Sequence, residues 1–132
     1  MILVDTDVLV DLARSYSPAV KWLKAIDSNS IVISGFSYME LIQGCKDIKE
    51  LHHFASLYKR EMLVWPSKIN LDLGLDYFEG TFLRNRIGIL DTLIAATAIE
   101  LDCEFASYNL KHYNNFPKLK LIQPYERTPQ GE

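Results

Sequence analysis

The sequence has little of what would place it among secreted or membrane proteins. Its 132 residues include two cysteines, Cys45 and Cys103, which lack the C-x-x-C spacing of a metal site and are too few to staple a small scaffold. We predict that both are reduced, buried thiols. The sequence also has no long apolar run and no basic, signal-like start. It therefore predicts a cytoplasmic protein that makes no membrane contact.

An excess of positive charge is also missing. The formal net charge is −3, so bulk electrostatics do not draw the chain to nucleic acid, and any affinity for phosphate must be local. The candidate local charges are Lys59 with Arg60, Arg84 with Arg86, and Lys111 with His112 beside Tyr108 and Tyr113. Basic residues among aromatic ones can hold a nucleic-acid strand by phosphate contacts and stacking. For each cluster alone, an ordinary solvated surface is the interpretation that we favour.

Short apolar segments alternate along the chain with segments of helical spacing. The predicted strands are 2–5, 30–34, 62–65, 103–107 and 119–122. The predicted helices are 8–14, a second that Pro18 opens, 37–45, 47–60, about 68–84 and 91–101. This alternation predicts an α/β fold with a mostly parallel sheet that is covered on both faces. The length suits one domain, over 1–125, and the last segment, 126–132, has no apolar content and is predicted to be a flexible tail.

Three acids stand at the boundaries of apolar runs. Asp5 ends the first strand, Glu40 follows the run 31–36, and Asp91 directly precedes another apolar run. Carboxylates are rarely buried unless they are paired or bind a metal, and acids so far apart in sequence can meet only at the edge of a sheet. Three clustered carboxylates would repel by about 4 kcal/mol per pair at 4 Å, and a divalent cation such as Mg²⁺ or Mn²⁺ would relieve this.

A purely structural interpretation of these acids stays open. Asp91 then caps a helix and Asp5 merely ends a strand, because an acid at a helix start accepts unpaired N–H groups. We predict structural roles for two neighbouring acids. Asp7 is placed to cap helix 8–14, and Asp11 falls on the polar side of that helix. A secondary role for Asp7 beside the metal is also open.

Three motifs resemble those of a known family. Residues 4–9 (VDTDVL), 40–44 (ELIQG) and above all 91–98 (DTLIAATA) resemble the acidic motifs of PIN-domain ribonucleases, in particular the VapC-type toxins of bacterial toxin–antitoxin pairs. The resemblance spans about residues 1–122. It implies a three-layer α/β/α fold around a central sheet of about five strands, and Mg²⁺- or Mn²⁺-dependent endonucleolytic hydrolysis of RNA. It assigns Asp5, Glu40 and Asp91 as catalytic residues and metal ligands, and it implies an antitoxin partner and a homodimer.

The resemblance also implies a fourth polar position in the motif at 106–113. Asn109 stands there, where many relatives have Asp, and Ser107 matches a hydroxyl that helps to order the site. Asparagine supplies an oxygen without a charge, so a second metal ion would bind weakly or not at all. The pair His52 and His53 lies in an amphipathic segment, for which we predict a structural or surface role.

Two competing functions remain. The string around Asp5 and Asp7 also resembles the D-x-D opening of haloacid-dehalogenase-type phosphatases, in which the first Asp is a nucleophile. Such enzymes need a late pair of acids, for which Asp72 and Asp76 have suitable spacing but no preceding strand. The second alternative is a non-catalytic PIN-like module that binds RNA or a protein, which Asn109 in place of an acid keeps open.

Overall fold

The computed structural model describes residues 1–127 and all of their side chains except that of Ser28. Five short strands form one sheet: β1 (Ile2–Val4), β2 (Ile31–Ser34), β3 (Leu63–Val64), β4 (Glu104–Ala106) and β5 (Lys120–Ile122). Their order across the sheet is β3-β2-β1-β4-β5, and every neighbouring pair is parallel. The prediction of a parallel sheet of about five strands is confirmed.

Seven α-helices lie within the described residues. They are α1 (Thr6–Ala13), α2 (Ser17–Ala25), α3 (Gly35–Gln43), α4 (Ile48–Leu57), α5 (Lys68–Asn85), α6 (Ile89–Leu101) and α7 (Leu110–Tyr113). The first six match the predicted helices to within a few residues. The last was not predicted, because four residues are too few to show a helical repeat.

Helices cover both faces of the sheet, and successive residues of β1 point to opposite sides. Leu3 lies in one core with Ile94 of α6, whereas Val4 lies in the other with Leu9 of α1 and Phe54 of α4. Both strand residues have no exposed surface. This burial explains the continuous apolar character of the strands and confirms the three-layer α/β/α prediction.

The prediction of two buried thiols is met in part. Both cysteines are free, but only Cys103 is buried, while Cys45 is half-buried. Of the predicted tail, Arg127 is described and contacts Asp11 of α1, whereas 128–132 lie outside the described residues. None of the helices described is both long and apolar enough to cross a membrane.

Two helices begin at the same edge of the sheet, directly after the strands that precede them. Only Asp5 separates β1 from α1, and α3 begins at Gly35, immediately after Ser34 ends β2 and caps the helix through its hydroxyl. A Cβ at Gly35 would lie 2.2 Å from the ring of Trp65, so a larger residue there would displace that ring. These short connections bring the first turns of α1 and α3 to the carboxyl edge of the sheet.

Candidate active site

Asp5 is the most buried acid at this edge, with 6% of its surface exposed. One carboxylate oxygen accepts a hydrogen bond from the backbone N–H of Thr6 (2.8 Å), and the other accepts one from the hydroxyl of Ser107 (2.7 Å). Burial, followed by repulsion from Asp7, raises the pKa of Asp5 to about 7. The carboxylate is therefore held in one orientation, while its charged form is disfavoured.

The N-cap of α1 corrects one prediction. Asp5, not Asp7, caps this helix, because the chain turns into the helix directly after β1. Asp7 lies inside the first turn, where its carboxylate accepts hydrogen bonds from the N–H groups of Val8 (2.7 Å) and Tyr108 (2.9 Å). Asp7 thus joins α1 to the segment that follows β4.

Glu40 reaches this edge from the second turn of α3. Its Oε1 accepts a hydrogen bond from the hydroxyl of Thr6, 34 residues earlier in the chain, at 2.5 Å. Since Thr6 also donates its N–H to Asp5, one residue contacts both acids. The start of α1 therefore sets the positions of two of the three predicted carboxylates.

Asp91 lies in the first turn of α6, but Gly88 occupies the N-cap position of that helix. The Oδ1 of Asp91 accepts a hydrogen bond from the hydroxyl of Tyr113 (3.1 Å), and its Oδ2 lies 3.0 Å from Nδ1 of His112. A carboxylate can only accept, so the imidazole donates in this contact. Asp91 is thus held by side chains of α7 instead of capping its own helix.

Tyr113 is a buried donor. Its ring has 1% exposed surface and packs edge-on against Phe105, with 4.8 Å between ring centroids. Burial, and then the charges of Asp5 and Asp91, raise the pKa of Tyr113 far above its ordinary value, so the hydroxyl keeps its proton. The sequence contains no signal for this role, because Tyr113 stands between His112 and Asn114 and no local pattern links it to Asp91.

The loop after β4 contributes Ser107 and Asn109. The Ser107 side chain has no exposed surface, and its hydroxyl both donates to Asp5 and accepts from the N–H of Asn109 (3.0 Å). The side-chain amide nitrogen of Asn109 lies 2.8 Å from Nδ1 of His112. Ser107 therefore orders Asp5 and the loop together, and Asn109 adjoins the contacts of Asp91.

One solvent-open cavity of about 550 Å³ gathers the predicted site residues. It is lined by Asp5, Thr6, Asp7, Glu40, Asp91, Tyr108, Asn109 and Arg127. In the described part of the chain, no lysine or arginine forms an ion pair with Asp5, Glu40 or Asp91. The acids therefore face a shared space with hydroxyl, N–H and imidazole donors but without a lysine or arginine partner in the described chain.

The carboxylate and amide oxygens that this cavity offers are the ligands that a hard divalent cation prefers. Repulsion from Asp7 and Asp91 adds to burial in raising the pKa of Asp5, so a positive charge in the cavity would favour its carboxylate form. Among residues 1–127, no three His, Cys, Asp or Glu side chains stand close enough together to hold one ion jointly. Mg²⁺ commonly takes one or two carboxylates and keeps several waters, so the fit is to an ion held by fewer than three direct protein ligands.

The residues of the phosphatase interpretation do not converge. Asp72 and Asp76 are exposed on α5, where Asp72 pairs with Lys68 at 2.9 Å, and neither lines the cavity. His53 is exposed and contacts the carbonyl oxygen of Ala13, in agreement with the surface role predicted for it. The D-x-D interpretation therefore has no structural support.

Comparisons with known proteins agree with this geometry. A family model described as the PIN domain matches residues 2–116. The chain is 34% identical over 121 residues to ribonuclease VapC10 of Mycobacterium tuberculosis, and the match covers 91% of each chain.

The fold is similar to that of solved proteins of lower sequence identity. A toxin–antitoxin complex from Klebsiella pneumoniae contains a chain that matches with a TM-score of 0.72 and 22% identity, over 96% of this chain and all of that one. A chain of VapBC-1 from nontypeable Haemophilus influenzae matches with a TM-score of 0.73 and 21% identity, over 94% and 98% of the two chains. At these identities the two structures support the fold.

Proposed function

Because the chain belongs to the PIN domain family, we propose that it is a metal-dependent endoribonuclease with Asp5, Glu40, Asp91 and Asn109 as its catalytic residues. The assignment to a ribonuclease rests on the similarity to VapC10 over nine-tenths of both chains. The observation that carries the site assignment is the shared cavity, in which these acids have no arginine or lysine partner among the described residues.

Asp5, Glu40 and Asp91 would hold a Mg²⁺ or Mn²⁺ ion, with one or two of them bonded to it directly and the rest acting through water on the ion. When bound, such an ion supplies a water of lowered pKa and offsets charge on the phosphoryl oxygens. The chain's own contribution is to keep the oxygens in place: Ser107 orients Asp5, and Tyr113 donates to Asp91. Hydrogen bonds of this kind, one shell outside the ligands, typically tune metal affinity.

We also propose a protein antitoxin as partner and a homodimer as the resting assembly, acting in the cytoplasm where RNA is present. The similar structure from Klebsiella pneumoniae is a toxin–antitoxin complex. Exposed apolar side chains along α5 and at the start of α6 offer surface for such contacts. They are Ile69, Leu73, Leu75, Leu83 and Ile89.

The central test is RNA cleavage by the purified protein and in cells. Cleavage should require Mg²⁺ or Mn²⁺ and stop on chelation. After expression, mapping of RNA 5′ ends across the transcriptome should show cuts at a few defined sites that vanish in Asp91→Ala. Cuts that persist in the variant would remove Asp91 from the mechanism. A non-catalytic binding module would cut nothing under any metal.

A further inference from the structure

The last described segment, residues 123–127, lies against α1 and α2. Tyr125 packs against the rings of Tyr16, Trp22 and Tyr108, with centroid distances of 6.1, 6.2 and 5.2 Å. Its hydroxyl donates to Asp11 of α1 (2.6 Å), and its carbonyl oxygen accepts from the hydroxyl of Tyr108. These contacts fix the chain two residues before the end of the described structure.

Arg127 follows directly and reaches the rim of the cavity. Its guanidinium lies over the ring of Tyr108, with Cζ 4.2 Å from the ring centroid. Nε and Nη2 donate to one carboxylate oxygen of Asp11 (3.0 and 2.8 Å), and Nη2 also lies 3.3 Å from the carbonyl oxygen of Asp7. Stacking and a charge-assisted pair thus hold the guanidinium from two directions.

The charge of Arg127 stands out against its surroundings. Of the eight residues that line the cavity, four are acids and Arg127 alone is basic. A phosphodiester brings negative charge into this space, where four carboxylates oppose it. No lysine, arginine or histidine of the clusters singled out in the sequence lines the cavity, and of those clusters only the ring of Tyr108 does. Arg127 is therefore the side-chain cation placed to compensate an entering phosphate.

We propose that Arg127 is a phosphate-binding residue, which receives an RNA phosphate at the rim of the cavity and sets the register of the strand over the acids. This inference rests on the proposed ribonuclease function. Arginine suits the role, because its planar fork of donors matches phosphate oxygens. Its side chain is 40% exposed, and within residues 1–127 no hydrogen bond engages its Nη1 nitrogen, which is therefore free to donate to a ligand.

The contacts of Arg127 also argue against an inhibitory role. An arginine that blocked the site would pair with Asp5, Glu40 or Asp91, whereas the ion pair of Arg127 is made with Asp11. Asp11 does not line the cavity, so this pair anchors the side chain without covering the inner acids. The guanidinium is thus fixed at the rim of the cavity, with the inner acids uncovered.

Steady-state cleavage of a short single-stranded RNA tests the role, with wild type, Arg127→Gln, Arg127→Lys and the control Arg14→Gln. Arg14 is exposed at the end of α1 and does not line the cavity, so its variant removes the same charge elsewhere. Arg127→Gln should raise KM roughly tenfold or more. From about 50 to about 200 mM salt, it should also flatten the slope of log kcat/KM against log salt by about 0.7. Arg127→Lys should keep that slope, and Arg14→Gln should match wild type.

Each other outcome contradicts the role of Arg127, and the last contradicts the proposed nuclease function as well. Wild-type KM and salt slope in Arg127→Gln would overturn the role of Arg127 and leave the nuclease standing. Faster cleavage by Arg127→Gln would overturn it in favour of an occluding arginine. A raised KM with an unchanged salt slope, equally large in Arg127→Lys, would reduce Arg127 to an anchor of its segment. A wild type that cuts no RNA with any metal would remove the proposed function together with this inference.

Discussion

Asp5, directly before α1, and Asp7 and Asp11 within it belong to two groups of acids that the structure treats differently. The inner group, Asp5 with Glu40 and Asp91, accepts hydrogen bonds from hydroxyl, N–H and imidazole donors and has no Lys or Arg partner in the described chain. In the outer group, Asp11 has a counter-charge, because it pairs with Arg127. Asp7 accepts two backbone N–H groups, although burial still raises its pKa. Charge that is left without a counter-charge marks a functional site better than an acid's position in the sequence.

Neutralising one acid of each group tests whether the two groups differ in function. Asp5→Asn should lower the rate of RNA cleavage by about a thousandfold or more, because it removes a charge that the mechanism uses. Asp11→Asn should lower it by less than about tenfold, since it only loosens the anchor of Arg127. Single-turnover cleavage at saturating Mg²⁺ measures both. Comparable losses in the two variants would show that the inner and outer acids do not differ in function.

In metal-free protein, the pH dependence of the free energy of unfolding should distinguish Asp5 from an acid of ordinary pKa. Because its pKa is raised from 3.8 to about 7 in the folded chain, the folded state binds one more proton than the unfolded state between these values. The contribution of Asp5 to the free energy of unfolding is therefore fully present below about pH 4. It falls as pH rises toward 7, by about 1.4 kcal/mol per pH unit and about 4 kcal/mol in all. Urea unfolding in chelator, from about pH 4 to about pH 8, measures this loss.

Asp5→Asn should remove most of that pH dependence, the rest coming from Asp7, whose pKa is also raised by burial. The variant should make the metal-free protein more stable than wild type near pH 8. The matched control is Asp102→Asn, which changes an exposed acid at the end of α6 that pairs with Lys120. The control should keep the slope of wild type. If Asp5→Asn kept it too, burial of the Asp5 carboxyl would not be the source.

The donors that hold the inner acids should matter less than the acids themselves. Thr6→Val removes the hydroxyl that donates to Glu40, and Tyr113→Phe removes the one that donates to Asp91. Each should weaken Mn²⁺ binding by about 10- to 100-fold and lower the free energy of unfolding by about 1 kcal/mol. Calorimetric titration with Mn²⁺ and urea unfolding give the two values.

Two controls remove a tyrosine and a threonine hydroxyl at positions outside the cavity. Tyr77→Phe loses a hydrogen bond to the carbonyl oxygen of Asn115, and Thr81→Val loses one to the carbonyl oxygen of Tyr77. Both should destabilise the fold slightly and leave Mn²⁺ affinity unchanged. Equal effects of the controls on Mn²⁺ affinity would mean that the loss reflects general loosening and not the positions of Glu40 and Asp91.

The sheet could be predicted from sequence because each strand is buried on both faces and is therefore an uninterrupted apolar run, as at Leu3 and Val4. The acids could be predicted for the same reason, since each stands where such a run stops. The N-cap of α1 could not, because Asp5 and Asp7 are equally good caps and only the sharp turn out of β1 decides between them.

The supporting residues escaped prediction because their partners are distant in sequence. Thr6 meets Glu40 across 34 residues and Arg127 meets Asp11 across 116, distances at which no local pattern carries information. Arg127 also stands in a polar segment without apolar residues, which is typical of a tail. What holds it is Tyr125, one aromatic residue that packs against α1 and α2.

The smallest expected effect comes from adding a charge to the inner group. Asn109→Asp would place a further carboxylate in the cavity, close to the contacts of Asp91. One added charge about 8 Å from a divalent ion in a hydrated site is worth about 1 kcal/mol, so Mn²⁺ affinity should rise about fivefold. Repulsion between the added carboxylate and Asp91 should slightly lower the melting temperature in chelator. Asn114→Asp adds the same charge at the exposed end of α7 and should change neither value. An affinity that stays constant in Asn109→Asp would place this position outside the reach of the ion, and the inner group would then consist of the three acids alone.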